Sequence, residues 1–119
     1  MKREPSAFLS DIQVACAAVV TFTQGFDLDM YSADALVRSD VERQLQNMGE
    51  TLSQLSRQDP DLAAKVPRHR KLIGFRNIVV HGYAGLNDSD IREAVQLHLP
   101  ELQAKVEALI QEPGHGPAT

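Results

Sequence analysis

The chain has one cysteine, no tryptophan and no excess of positive charge. A single cysteine, Cys16, excludes an intrachain disulfide and fits a reducing compartment. It lies in an apolar run, so it reads as a core residue and not a reactive thiol. The formal net charge of -4 argues against a protein that wraps nucleic acid by bulk charge; any such contact has to be local. The N-terminus lacks the apolar centre of a signal peptide, and no apolar stretch is expected to reach the ~20 residues that span a bilayer. The expectation from these features is a cytoplasmic chain with no membrane partner. A glycine-rich phosphate loop, an internal repeat and strand-like alternation are also missing. The four histidines are scattered, without zinc-ligand spacing. Neither a metal nor a cofactor is expected.

What is present is helical periodicity. At 119 residues the chain makes one domain, long enough to bury about two-thirds of its unfolded surface. Leu9, Ile12, Cys16, Val19 and Thr23 recur at helical spacing, with Phe8, Ala15, Val20 and Phe22 widening the stripe. Gly25 ends that run, and Asp27 is placed to cap a short turn. A long helix follows from about Asp34 to Arg57. Its apolar positions Val37, Val41, Leu45, Met48, Leu52 and Leu55 step at four, four, three, four and three, close to a heptad seam. Gly49 inside it would let a neighbouring helix approach closely. Asp59 or Asp61 caps a short helix that Pro67 stops. Asn87 or Asp88 opens a helix through Ile91, Ala94, Val95 and His98, and His98 is expected on its surface. Pro100 and Glu101 open the last helix, with Leu102, Val106, Leu109 and Ile110 inward. The fold predicted is an all-α antiparallel helix bundle. The domain runs over residues 6–112, with a frayed tail at 113–119.

The segment that carries chemistry is Gly74–Tyr83. It sets Arg76, Asn77, His81 and Tyr83 among Ile, Val, Phe and Gly. Polar groups are costly to bury without partners, so a helix with one polar edge is the simplest solution. Asn77 and His81 then lie one turn apart on one face. Arg76 and Tyr83, seven apart, nearly superimpose. Arg76 and His81 point roughly 140° apart, a gap that a long Arg or a second copy of the helix covers. Leu72, Phe75, Val79 and Gly82 form the opposing, core-facing stripe. Glu50, on the long helix, reads either as an exposed carboxylate or as one that pairs with Arg76 or orients His81. Lys65, Arg68, His69, Arg70 and Lys71 form the one dense basic cluster. It is either solvated linker charge or a phosphate-steering patch.

Arg-Asn-x-x-x-His-x-Tyr, as Arg76, Asn77, His81 and Tyr83, resembles the Arg-x(4–6)-His signature of HEPN domains (higher eukaryotes and prokaryotes nucleotide-binding). It is most similar to the HepT branch, partner of the MntA minimal nucleotidyltransferase. Met48-Gly49-Glu50 resembles the Ile-Gly-Glu of that branch's long helix, and Leu99-Pro100-Glu101-Leu102 the start of its last helix. The resemblance spans roughly residues 6 to 112. It departs where many relatives carry a Trp before the motif helix and this chain has Arg68-His69-Arg70. It implies a HEPN-like bundle and a homodimer whose cleft joins the Arg76 and His81 of two protomers. The implied activity is metal-independent endoribonuclease action, as the toxin of a type VII (HEPN/MNT) toxin–antitoxin module. The implied partners are RNA and a cognate MNT-type nucleotidyltransferase that adds AMP to Tyr83.

The residues agree with that chemistry without demanding it. Metal-free RNA cleavage needs a base for the 2′-OH, an acid for the leaving 5′-oxygen and a cation for the phosphorane. His81 suits proton transfer and Arg76 suits phosphate. Asn77 fixes the cleft or touches the substrate. One chain supplies one motif His, and a dimer supplies two. Two other readings stay open. In one, Arg76 and His81 bind a nucleotide phosphate in a non-catalytic subunit of a nucleotidyltransferase complex. In the other, the motif is a hydrogen-bond network that holds a dimer together.

Overall fold

The computed structural model describes residues 3–74, 91 and 93–112, and among them every regular element is helical. Helix α1 is Pro5–Thr23, α2 Leu28–Ala33, α3 Ala35–Gln58 and α4 Pro60–Ala64. Residues 69–74 are helical and are called α5 here. A π-helical turn, Ala94–His98, leads directly into α6, Leu99–Gln111. The protein is an all-α helix bundle of the kind the periodicity predicts.

Local chemistry sets the helix ends. Pro5 opens α1 with its φ already helical. Beyond the end of α1, Gly25 takes a left-handed φ of 78°, which glycine adopts at little cost. Asp27 caps α2 by accepting from the Met30 N–H at 2.8 Å, and Asp34 caps α3 through the Val37 N–H at 3.0 Å. Asp59, not Asp61, caps α4, accepting from the Leu62 N–H at 3.1 Å. Helix α4 stops at Ala64, before Pro67 can act on it. Such caps satisfy N–H groups that have no intrahelical partner.

Packing follows the predicted stripes. Leu9, Ile12, Cys16 and Val19 of α1 are fully buried, as are Val41, Met48, Leu52 and Leu55 of α3, with Leu45 all but buried. From α6 come Leu102, Val106 and Leu109. Helices α1 and α3 run antiparallel. Gln58 at the end of α3 donates to the Arg3 carbonyl at 2.7 Å, and further along Cys16 Sγ lies 3.6 Å from Met48 Sδ. On the other flank of α1, Gln13 donates to Glu107 of α6. Gly49 is buried at the centre of α3.

Three expectations are corrected. Val20 does not widen the α1 stripe; it is 41% exposed, and Val14 is 69% exposed. Helix α1 is apolar on nearly every side, so its sequence does not mark the inner face. For the same reason α1 is, contrary to expectation, long and apolar enough to cross a membrane by length and composition, at a mean hydropathy of 1.5. One face of it, Phe8, Leu9, Ile12, Ala15, Cys16 and Val19, is buried in the bundle. Finally, residues 94–98 are π-helical and not α-helical. Pro100 has no N–H to give the Gln96 carbonyl, and its ring crowds that carbonyl. A wider turn with i→i+5 bonds relieves both problems. The predicted starts of this segment at Asn87 or Asp88, and the tail at 113–119, lie outside the described residues.

Candidate active site

In the chain, α5 immediately precedes the motif. Leu72 is buried and its N–H donates to the Arg68 carbonyl at 3.0 Å, so the helical turn is fixed to the core just before Phe75. That burial agrees with the predicted inner stripe at its first member. Phe75, Val79 and Gly82 lie outside the described residues, as do Arg76, Asn77, His81 and Tyr83. The structure therefore describes the scaffold on either side of these four side chains.

Glu50 is described. It is half-buried on α3, next to the buried pair Met48 and Gly49. Gln54 Nε2, one turn on, donates to its Oε1 at 3.2 Å. Glu50 lines an open groove of about 340 Å³ between α1 and α3, with Asp11, Val14, Ala15, Gln44, Asn47 and Thr51. Two carboxylates and two carboxamides make this groove a poor place for a phosphate. A carboxylate at its edge can orient a cation or an imidazole. Its expected partners, Arg76 and His81, lie outside the described residues.

A second feature adjoins α5. Arg68 and Lys71 flank an apolar cavity of about 30 Å³, walled among the described residues by Leu45, Pro67, Leu72, Val95, Leu99 and Leu102, with His98 also lining it. His98 is thus not the surface residue expected. Its side chain is 20% exposed, and Nε2 lies 3.9 Å from Glu93 Oε1. The available signal was spacing: His98 follows the buried Ile91 by seven residues, which puts the two on one helix face. Arg68 itself has a left-handed φ of 57°, unusual for a side-chain-bearing residue.

The buried Cys16 takes no part in this region. Burial pushes its thiol from the ordinary 9.0 up to about 12, which keeps it protonated and inert at neutral pH.

Comparison with known proteins gives the family. The model of the ribonuclease HepT-like family matches residues 12–109, a span that includes Glu50 and the whole Arg76–Tyr83 segment. The chain belongs to the ribonuclease HepT-like family. A curated relative in Methanocaldococcus jannaschii, named "Putative RNase MJ1380", is 28% identical over 106 residues, covering 89% of this chain and 96% of the relative. Another, from Thermococcus cleftensis, is named "Probable ribonuclease HepT". It is 26% identical over 109 residues, covering 92% of this chain and 98% of the relative. No solved structure matches significantly. The HepT-like assignment agrees with the resemblance carried by Arg76, Asn77, His81 and Tyr83, and it extends over nearly the whole helical body.

Proposed function

We propose that this HepT-like chain is a metal-independent endoribonuclease and the toxin of a HEPN/MNT toxin–antitoxin pair. One observation carries the reading: the chain matches a ribonuclease family across residues 12–109, and within that span Arg76 and His81 stand at a spacing that resembles the HEPN Arg-x(4–6)-His signature. Two protomers supply two His81 and two Arg76 to one cleft. One His81 takes the proton of a 2′-OH as its oxygen bonds to phosphorus. The other protonates the 5′-oxygen as its bond to phosphorus breaks. Arg76 holds the charge that gathers on the non-bridging oxygens. Asn77 braces the cleft, and Glu50 holds Arg76 or His81 in place from α3.

Tyr83 is the proposed switch. Its hydroxyl attacks the α-phosphate of ATP on a cognate nucleotidyltransferase, a phosphoester bond forms and pyrophosphate leaves. The new phosphate then pairs with Arg76 and blocks RNA entry.

The test has two parts. Purified chain is incubated with RNA without divalent ions, with His81→Ala as control. We expect cleavage that the substitution lowers by at least ~10²-fold. Equal products from both chains would overturn the nuclease reading and favour a nucleotide-binding subunit. Intact mass is then measured with and without a co-expressed MNT-type nucleotidyltransferase. A gain of AMP that Tyr83→Phe abolishes is expected; the same gain on Tyr83→Phe would sink the assignment of Tyr83.

A further inference from the structure

The acidic chain concentrates four of its 12 basic residues, Lys65, Arg68, Arg70 and Lys71, within seven positions. All four are exposed. Among the described residues, no carboxylate lies within ion-pair distance of any of them. Of the two preceding acids, Asp59 is committed to capping α4, and Asp61 forms no ion pair among the described residues. Two backbone irregularities meet at the same place. Arg68 holds a left-handed φ of 57°, and the π turn Ala94–His98 forms the facing wall of the cavity that Arg68 and Lys71 flank. Each departs from the cheapest local backbone, and together they leave a cationic rim over an apolar floor.

The lining of that cavity selects the ligand. Its floor, from Leu45, Leu72, Val95, Leu99 and Leu102, is apolar, and the charge stands at the rim on Arg68 and Lys71. The rim can engage a polyanion from outside. Its natural match is a sugar–phosphate backbone, contacted without base readout. The cluster is also close to the motif by chain length alone. Lys71 and Arg76 are five positions apart, which bounds their Cα atoms to about 18 Å.

We propose that Lys65, Arg68, Arg70 and Lys71 form a guide that holds the phosphate backbone of single-stranded RNA as it leads to the cleft. The guide rests on the nuclease reading for its purpose, since RNA held here is RNA presented to Arg76 and His81. Its contacts are electrostatic and indifferent to sequence, and they are the local basic surface that the net charge of -4 otherwise denies the molecule.

The experiment is binding of a labelled single-stranded RNA to the His81→Ala chain across a salt series. The comparison is the same chain carrying K65Q, R68Q, R70Q and K71Q. Each lost phosphate contact lowers the log–log salt slope by about 0.7, so four lower it by about 3 and weaken binding at low salt by at least roughly tenfold. A charge-keeping set, K65R, R68K, R70K and K71R, retains the slope. Should the fourfold Gln chain not fold, R70Q and K71Q alone each lower the slope by about 0.7. An unchanged slope in a chain whose parent cuts RNA overturns the guide and leaves the nuclease standing. A charge-dependent slope in a chain that never cuts RNA keeps the guide and overturns the nuclease. A parent chain that neither binds nor cuts RNA overturns both.

Discussion

At the scale of single residues, the physics is clearest where a group is fully buried. Cys16 has no exposed surface and sits 3.6 Å from Met48 Sδ. Its thiol is raised from 9.0 to about 12 by burial. The folded chain therefore keeps the proton that the unfolded chain releases. Stability from this source is complete below about pH 9 and is lost as pH climbs toward 12. Within that window the slope is about 1.4 kcal/mol per pH unit. Lysines and tyrosines titrate there too, so the measurement is a difference: urea unfolding of wild type and Cys16→Ala from pH 8.5 to 10.5. Wild type should lose stability more steeply by about that amount. Parallel pH curves would mean that Cys16 meets the same surroundings folded and unfolded. The core role of Cys16 was legible because an isolated thiol in an apolar run has few other uses. The outward turn of Val20, 41% exposed, was not, because the neighbours of Val20 on α1 are apolar whichever way it points.

At the scale of elements, capping separates two acids that the sequence left equivalent. Asp59 and Asp61 both stand at the start of α4, but only Asp59 accepts from the Leu62 N–H. Asp59→Ala should cost about 1 kcal/mol, while Asp61→Ala should stay within about 0.5 kcal/mol, the range for an exposed position. Paired thermal or urea unfolding of the two variants checks this, and equal losses would assign the effect to charge near the helix end instead of to the cap. The long helix was readable almost to the residue, since a seam from Val41 to Leu55 can face only one way. The π turn was not readable from periodicity. Over five residues, α and π side-chain patterns differ by less than the noise in any apolar stripe, and only Pro100 hinted at it. His98 was misplaced for another reason: its seven-residue spacing from the buried Ile91 was outweighed by its polarity. Of the proposed site, Arg76, Asn77, His81 and Tyr83 stand out in the sequence because polar groups inside an apolar segment demand an explanation, and all four lie outside the described residues. Spacing alone left open whether Arg76 and His81 meet within one chain or between two.

At the scale of the whole molecule, that open question becomes a prediction about subunit mixing. If a cleft needs one His81 as base and another as acid, both must be intact in the same dimer. Wild-type and His81→Ala chains, differently tagged and co-expressed at equal levels, assort at random. About a quarter of the dimers then carry two His81, about half carry one, and the rest carry none. Losing either proton-transfer partner costs roughly 10²–10⁴ in rate, so the mixed dimers are nearly silent. The pooled preparation should therefore show about a quarter of the wild-type rate per dimer. Two independent clefts, each built by one protomer, would instead give about half, because every wild-type chain would work whatever its neighbour. The two outcomes differ by a factor of about two, which purified material of known subunit ratio resolves. The mixed dimer, isolated through its two tags, sharpens the result. Near-zero activity in that fraction requires both histidines in one site, whereas half activity leaves the dimer as scaffold and returns the chemistry to the single chain.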